Sequence, residues 1–181
     1  MVTDPGLMDW SGLATIIGYN DLWRHYRRLM NNWLNTRAVN QFNGLQERQA
    51  RSLLQRLLNT TNQSQPFDYV KKEFFFTMGS SMLQLAYGYK PQDPQDPFFK
   101  EALLAFHNVM SAGMQTSRKW GVQQTKAKTE PYEWVKAEVA RGTHQPSLLG
   151  SLLQDHGLLL GLSPTEREER LKEIGIVLFG G

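Results

Sequence analysis

The chain has 181 residues and no cysteine, and its 20 Lys and Arg against 17 Asp and Glu give a formal net charge of +3. This length allows one domain with a real core. The missing cysteine excludes disulfides, zinc–thiolate sites and a cysteine nucleophile. Because the small basic excess is spread among acidic residues, we expect no nucleic-acid-binding face.

The sequence also shows no secretion signal and no membrane-spanning segment. Residues 1–6 lack both a basic and an apolar region. The longest apolar run, residues 174–179, is much shorter than the ~20 residues that cross a bilayer. We expect the printed chain to be cytosolic or peripherally bound to a membrane.

The first predicted helix begins at Asn20 or Asp21, either of which can cap it, and ends near residue 34. Trp23 and Arg27 lie four residues apart, so an indole N–H and a guanidinium emerge side by side. Two such donors suit a carboxylate or a phosphate. The simpler interpretation is that Trp23 anchors the core while the arginines of this helix form a solvated face.

The middle of the chain also has helical periodicity, without the alternation typical of strands. The third predicted helix is so apolar that we expect it to be central, with Phe74, Phe75, Met78 and Met82 as core side chains. We expect Asp96 to cap the fourth helix, with Pro97 at its first position. The predicted helices cover residues 42–58, 68–87, 97–110, 131–141 and, as a short turn, 148–153.

Ser163 and Glu166 form a capping box that begins the last helix. This helix becomes fully apolar from Ile174 to Phe179, just where the sequence ends. We therefore expect the chain to be cut short after residue 181, and residues 174–179 to lack covering partners.

Several features, taken together in their order along the chain, resemble the cytochromes P-450. These are the haem-thiolate monooxygenases, and the resemblance is greatest to fungal members. The features are the W-x-x-x-R pair Trp23 and Arg27 with its Tyr-Asn-Asp lead-in, Leu7–Trp10, Tyr87-Gly-Tyr89, Asp96-Pro-Phe98, Pro131–Lys136, Gly142-Thr143, Pro146–Leu149 and Ser163–Gly181.

The resemblance implies a mainly α, partial cytochrome P-450 fold over residues 1–181. The chain would run from before the C helix to the start of the I helix, without the β-rich regions and the cysteine loop. Residues 114–120 look shorter than the corresponding F–G region of the family, which would fit an internal deletion.

For the complete family member, the resemblance implies a haem-dependent monooxygenase that inserts one oxygen atom of O₂ into an apolar organic substrate. Electrons would come from NADPH through a reductase partner, on the cytosolic face of the endoplasmic reticulum. In the family, the residues at Trp23 and Arg27 hold a haem propionate. Gly180 and Gly181 sit where the I helix approaches the haem, and residues without side chains allow that approach.

The departure from the family lies in the chemistry of the iron. The family holds its iron with a cysteine thiolate, which favours O–O cleavage, and this chain has none. We assign no catalytic residue and no metal ligand, because His25, His107, His144 and His156 show no metal-ligand spacing. The printed chain is expected to be inactive and at best a weak haem binder.

An alternative from a different class is a non-enzymatic helical interaction protein. Its basic first helix would bind an acidic partner or a membrane surface. Cooperative unfolding of a stable monomer without haem affinity would favour this alternative.

Overall fold

The computed structural model describes residues 10–59, 66–111, 119–155 and 157–180. The mainly α prediction is confirmed for this part of the chain, which contains seven α-helices, two short 3-10 helices and no strand. The α-helices are α1 (Asp21–Leu34), α2 (Asn43–Leu58), α3 (Pro66–Tyr87), α4 (Pro97–Ser111), α5 (Lys119–Arg141), α6 (Leu148–Gln154) and α7 (Pro164–Gly180), and the 3-10 helices are Ala38–Phe42 and Gly157–Leu159.

Three helices begin at the caps that the sequence predicts. Asn20 Oδ1 accepts a hydrogen bond from the backbone N–H three residues later at 2.9 Å, which makes Asn20, not Asp21, the cap of α1. Asp96 Oδ1 accepts from the N–H of Phe98 at 3.1 Å. At α7, the N–H of Ser163 donates to Glu166 Oε2 at 2.9 Å, as a capping box requires.

The prediction that the fifth helix begins at Pro131 is wrong, because α5 already begins at Lys119 and continues through that proline. Tertiary packing stabilises the added turns, since Ala127 is buried together with Ala105 of α4. The expected deletion at residues 114–120 lies mostly outside the described residues and stays a prediction.

The core forms where α3 and α7 meet α1, α5 and α6. The central position predicted for α3 is therefore confirmed. The largest side chains that are fully buried in this core are Tyr26, Tyr87, Leu29, Leu83, Leu148, Leu149, Leu159, Ile174 and Val135.

The side chains that α3 buries differ from the predicted ones. Phe74, Phe75 and Met78 are 48%, 46% and 61% exposed, so the expectation that they are core residues is wrong. The buried face is displaced around the helix and includes Phe76 and Leu83. Apolar and polar residues are spread around this helix, so its sequence gives no strong moment from which its buried side could be read.

A second correction concerns the apolar part of α7. Ile174, Ile176 and Val177 are all buried by other parts of this chain. Ile174 lies in the main core, while Ile176 and Val177 pack in a smaller cluster with Trp10 and Leu13. The expectation that this segment lacks covering partners is therefore wrong for these three residues.

The interface between α2 and α3 is polar. Arg56 of α2 forms an ion pair with Glu73 of α3, whose carboxylate side chain is only 8% exposed. The same guanidinium donates to Thr77 Oγ1 at 2.6 Å. Two leucines of α2 remain in solvent, with Leu54 60% and Leu58 71% exposed.

In the described part of the chain, no helix combines the length and the apolar character that crossing a membrane requires.

We predict that Gly175→Ala destabilises the protein by about 1–3 kcal/mol, as overpacking of a tight core does. A Cβ at Gly175 would lie 2.6 Å from the hydroxyl oxygen of Tyr87 and 2.8 Å from its Cε1 atom, and that ring is buried. Urea denaturation measures the effect. Gly18→Ala is the matched control, because a Cβ there meets nothing within 4 Å. Equal stability of the two variants would contradict the packing described for α3 and α7.

We also predict that stability decreases as the pH rises above 10. Burial and the Asp96 carboxylate raise the pKa of Tyr89 from 10.0 to about 12. Burial and nearby glutamates raise the pKa of Tyr132 to about 12, and the pKa values of Tyr26 and Tyr87 also rise. The unfolded state therefore loses these protons first, and stability is lost from pH 10 through 12. Urea denaturation at stepped pH, with tyrosinate absorbance, checks this; flat stability to pH 12 would contradict it.

Candidate functional site: the Trp23–Arg27 pair on α1

The candidate site lies on the flank of α1, at the border between core and solvent. Successive residues of an α-helix are rotated by about 100°. Tyr26 and Leu29 are fully buried and mark the side of α1 that faces the core. Residues rotated from that side lie where the helix surface passes from the core into solvent. Trp23 is half-buried and Arg27 is exposed on one of these edges.

The structure brings together the two side chains that the sequence paired. The guanidinium carbon of Arg27 lies 5.5 Å from the centre of the Trp23 ring, within cation–π range. Tyr19 contacts the same indole, with its ring centre 5.2 Å from that of Trp23. The guanidinium is thus held over an aromatic surface, with its position restricted before any ligand arrives.

The charge of Arg27 is not used elsewhere in the described residues, where it forms no ion pair. The neighbouring Arg24 differs, since it pairs with Asp21. A guanidinium offers five N–H donors in a planar fork that matches a carboxylate or a phosphate. The arrangement can therefore bind one anionic group, with the Trp23 indole N–H as a further donor.

The orientation of α1 is fixed by a contact with α7. The hydroxyl of Tyr26 donates a hydrogen bond to the Glu173 carboxylate. The guanidinium of Arg170 lies 5.6 Å from the centre of the Tyr26 ring and donates to its hydroxyl oxygen at 3.4 Å. These contacts set the rotation of α1 about its axis, and hence the direction in which Trp23 and Arg27 point.

His25 lies on the other flank of α1. Burial, together with the positive charges of Arg170 and Arg28, lowers the pKa of His25. Its Nε2 atom is buried without a hydrogen-bond partner in the described residues. No group of three or more His, Asp or Glu in that part of the chain could hold a metal ion, so the structure offers no ligand set around His25.

The other two proposed cofactor contacts stand apart from this pair in the sequence. Gly180 is the last residue of α7, about 10 Å along the helix axis beyond Glu173 at ~1.5 Å per residue. Gly181 lies outside the described residues. No described contact joins Gly180 to Trp23 or Arg27.

Sequence reasoning missed the Tyr26–Glu173–Arg170 contacts. Helical spacing places Tyr26 on the apolar face of α1, and the mixed charges from Glu166 to Glu173 are typical of a solvated face. Nothing in the sequence connects positions 147 residues apart. The one local indication is Glu173 itself, a charged residue directly before the buried Ile174, whose carboxylate needs a polar partner.

Comparisons with known proteins find fungal cytochrome P450 monooxygenases. The chain is 24% identical over 195 residues to cytochrome P450 monooxygenase claT of Ampulloclitocybe clavipes, an alignment that covers 95% of this chain and 37% of the relative. It is 26% identical to the multifunctional cytochrome P450 monooxygenase af510 of Aspergillus fumigatus, over 76% of this chain and 30% of the relative. Cytochrome P450 monooxygenase 98 of Postia placenta is 23% identical over 97% of this chain and 37% of the relative.

The chain thus spans about a third of the length of these curated relatives. No family profile matches it. No solved structure matches it either. These similarities support the predicted cytochrome P-450 family.

We predict that Tyr26→Phe lowers the free energy of unfolding by about 1.5–3 kcal/mol, the contribution of a hydrogen bond to a charged group. Tyr87→Phe is a sharp control. Both tyrosines are almost completely buried, but the Tyr87 hydroxyl has no hydrogen-bond partner in the described residues. Urea denaturation of the two variants should separate them, with Tyr87→Phe unchanged or slightly more stable. Equal losses would show that the Tyr26–Glu173 bond does not anchor α1.

Proposed function

We propose that this chain is part of a haem-dependent monooxygenase, and that Trp23 and Arg27 bind a haem propionate. The observation that carries the proposal is the exposed guanidinium of Arg27, which lies over the Trp23 ring and forms no ion pair in the described residues. The similarity to fungal cytochrome P450 monooxygenases supplies the identity of the anion. The site by itself specifies only a carboxylate or a phosphate.

The residues of the pair fit a propionate and divide the work of binding it. Arg27 would neutralise the negative charge and could donate two parallel N–H bonds to the carboxylate. Trp23 would donate one N–H bond and shield the guanidinium from water on one side. Gly180 and Gly181 remain proposed cofactor contacts, on the ground that a backbone without side chains admits a flat ring.

When bound in the complete enzyme, haem supplies the iron at which O₂ is activated. In this proposal, one oxygen atom enters an apolar organic substrate, and electrons come from NADPH through a reductase partner. The complete protein would work at the cytosolic face of the endoplasmic reticulum.

The printed chain contributes only part of this machinery. It has no cysteine, so it cannot supply the thiolate ligand that favours O–O cleavage. We therefore propose that the chain by itself binds haem weakly through the edge of the ring and does not hydroxylate substrates. In the same proposal, its helices correspond to the segment from the C helix to the start of the I helix.

We predict that Arg27→Gln weakens haem binding about tenfold or more, because a charge-assisted pair contributes about 1.5–3 kcal/mol. Trp23→Phe should have a smaller effect, since it removes one neutral hydrogen bond. The measurement is a haem titration of the 181-residue chain, followed by Soret absorbance. Arg28→Gln is the matched control, because Arg28 is an exposed arginine on the same helix.

Two outcomes would count against parts of the proposal. Equal haem affinity of Arg27→Gln and Arg28→Gln would exclude Arg27 as the propionate ligand. A thiolate-type spectrum of the reduced CO complex of the printed chain would refute the proposal that it lacks the axial ligand.

The alternative function, an interaction protein, retains one supporting observation. Arg27 and Arg28 are both exposed and form no ion pair in the described residues, so an acidic partner could bind there without haem. The membrane version has less support, because the apolar face of α1 is buried in the core through Tyr26 and Leu29. The alternative would be favoured if an acidic peptide pulled down the chain and the chain itself showed no haem affinity.

A further inference from the structure

A large groove lies between α2 and α3, away from the Trp23–Arg27 pair. Its volume is about 810 Å³, within the range of small-molecule sites in proteins. Residues along α2 from Gly44 to Arg56 and the second half of α3 form its walls, with Trp33 of α1 and Phe42 beside them. The chain after α3 and the residues that lead into α6 close one end.

The lining of this α2–α3 groove combines hydrogen-bonding groups with apolar side chains, among them Trp33, Phe42 and Leu85, and contains no carboxylate. Five glutamines, two serines, two arginines and one lysine line it. At its floor, Gln49 Nε2 and Gln84 Nε2 each donate to Ser80 Oγ, both at 3.2 Å. Ser80 is 3% exposed, and its hydroxyl accepts from both amides. The floor is therefore an ordered polar surface, which suits a ligand with several hydroxyl or ring-nitrogen groups.

Three cationic side chains line the groove, and two of them have no acidic partner in the described residues. Arg56 is already neutralised by Glu73 at the α2–α3 interface. Arg48 and Lys90 are both exposed, and neither forms an ion pair in the part of the chain that the structure describes. Because no acidic residue lines the groove, these two charges favour an anion there.

The position of Lys90 is set by rigid backbone. Gly88 ends α3 with φ +70°, and a Cβ there would lie 2.7 Å from the carbonyl oxygen of Gln145. Pro91, directly after Lys90, is buried. Lys90 therefore stands on a fixed rim of the groove, and Arg48 lines the same groove from α2.

We propose that the α2–α3 groove binds a phosphate monoester with a hydroxylated body, a nucleotide or a sugar phosphate, whose phosphate lies between Arg48 and Lys90. A phosphate monoester carries about −1.5 to −2 charges at neutral pH, which matches two free cations better than a single carboxylate does. The glutamine and serine side chains of the floor contact the hydroxylated body. This site is independent of the proposed haem function, because it shares neither Trp23 nor Arg27.

The test is calorimetric titration of the 181-residue chain with AMP, ribose 5-phosphate and adenosine. We expect AMP to bind at least about tenfold more tightly than adenosine, since the phosphate carries the charged contacts. Ribose 5-phosphate as tight as AMP would identify a sugar phosphate as the ligand. A weaker ribose 5-phosphate would identify a nucleotide, and both results support the site.

The variants separate this site from general charge attraction. Arg48→Gln and Lys90→Gln should each weaken AMP binding about tenfold. Arg51→Gln and Lys100→Gln make the same charge change outside the groove and should change it less than about twofold. All four residues are exposed, so circular dichroism should show an unchanged fold.

Three results would overturn the proposal. They are no saturable AMP binding, adenosine binding as tightly as AMP, and equal loss in Arg48→Gln and Arg51→Gln. A glutamate oligopeptide that binds more tightly than AMP would also overturn it, because the groove would then be a site for an acidic peptide.

Discussion

The hydrogen bond from the Tyr26 hydroxyl to the Glu173 carboxylate is the contact on which the candidate site depends. It joins the first and last helices at a point where the Tyr26 ring is fully buried. A helix held only by aliphatic packing can rotate slightly at little cost, because such contacts have no direction. A hydrogen bond has direction, so this one fixes which side of α1 faces solvent. Arg27, the next residue, is exposed as a consequence.

The polar contacts of the other helix pairs follow a similar pattern. Arg56 and Glu73 join α2 to α3, and Lys136 joins α5 to α7 through Glu168 at 3.5 Å. The first pair is mostly shielded from water, whereas the second is largely exposed and contributes little to stability. The register of α2 on α3 thus rests on polar contacts, which explains why Leu54 and Leu58 can remain in solvent. The same polar interface opens into the α2–α3 groove.

The proposed function separates two chemical tasks that a haem-thiolate enzyme combines. Holding the ring edge would require a cation and a donor, which we propose are Arg27 and Trp23 of α1. Cleaving dioxygen requires an electron-rich sulfur ligand, which cannot come from a chain without cysteine. Cofactor affinity and oxygen chemistry can therefore be measured separately in this protein. Relatives about three times as long carry the monooxygenase name.

The sequence by itself determined the features that depend on local chemistry. The caps at Asn20, Asp96 and Ser163 were predictable, because each side chain bonds to N–H groups within three residues. Helical periodicity gave most helix positions, and the four-residue spacing put Trp23 beside Arg27.

Only the tertiary structure decided which sides of the helices are buried and which distant residues meet. Apolar and polar residues are spread around α3, so its own pattern defines no inner face, and packing against its neighbours buries Phe76 rather than Phe74 and Phe75. The early start of α5, before Pro131, follows from packing on α4. The Tyr26–Glu173 hydrogen bond joins residues far apart in the chain, and Arg48 and Lys90, from separate elements, line one groove. Local pattern carries no information on such pairs, because their positions are set by packing of whole helices.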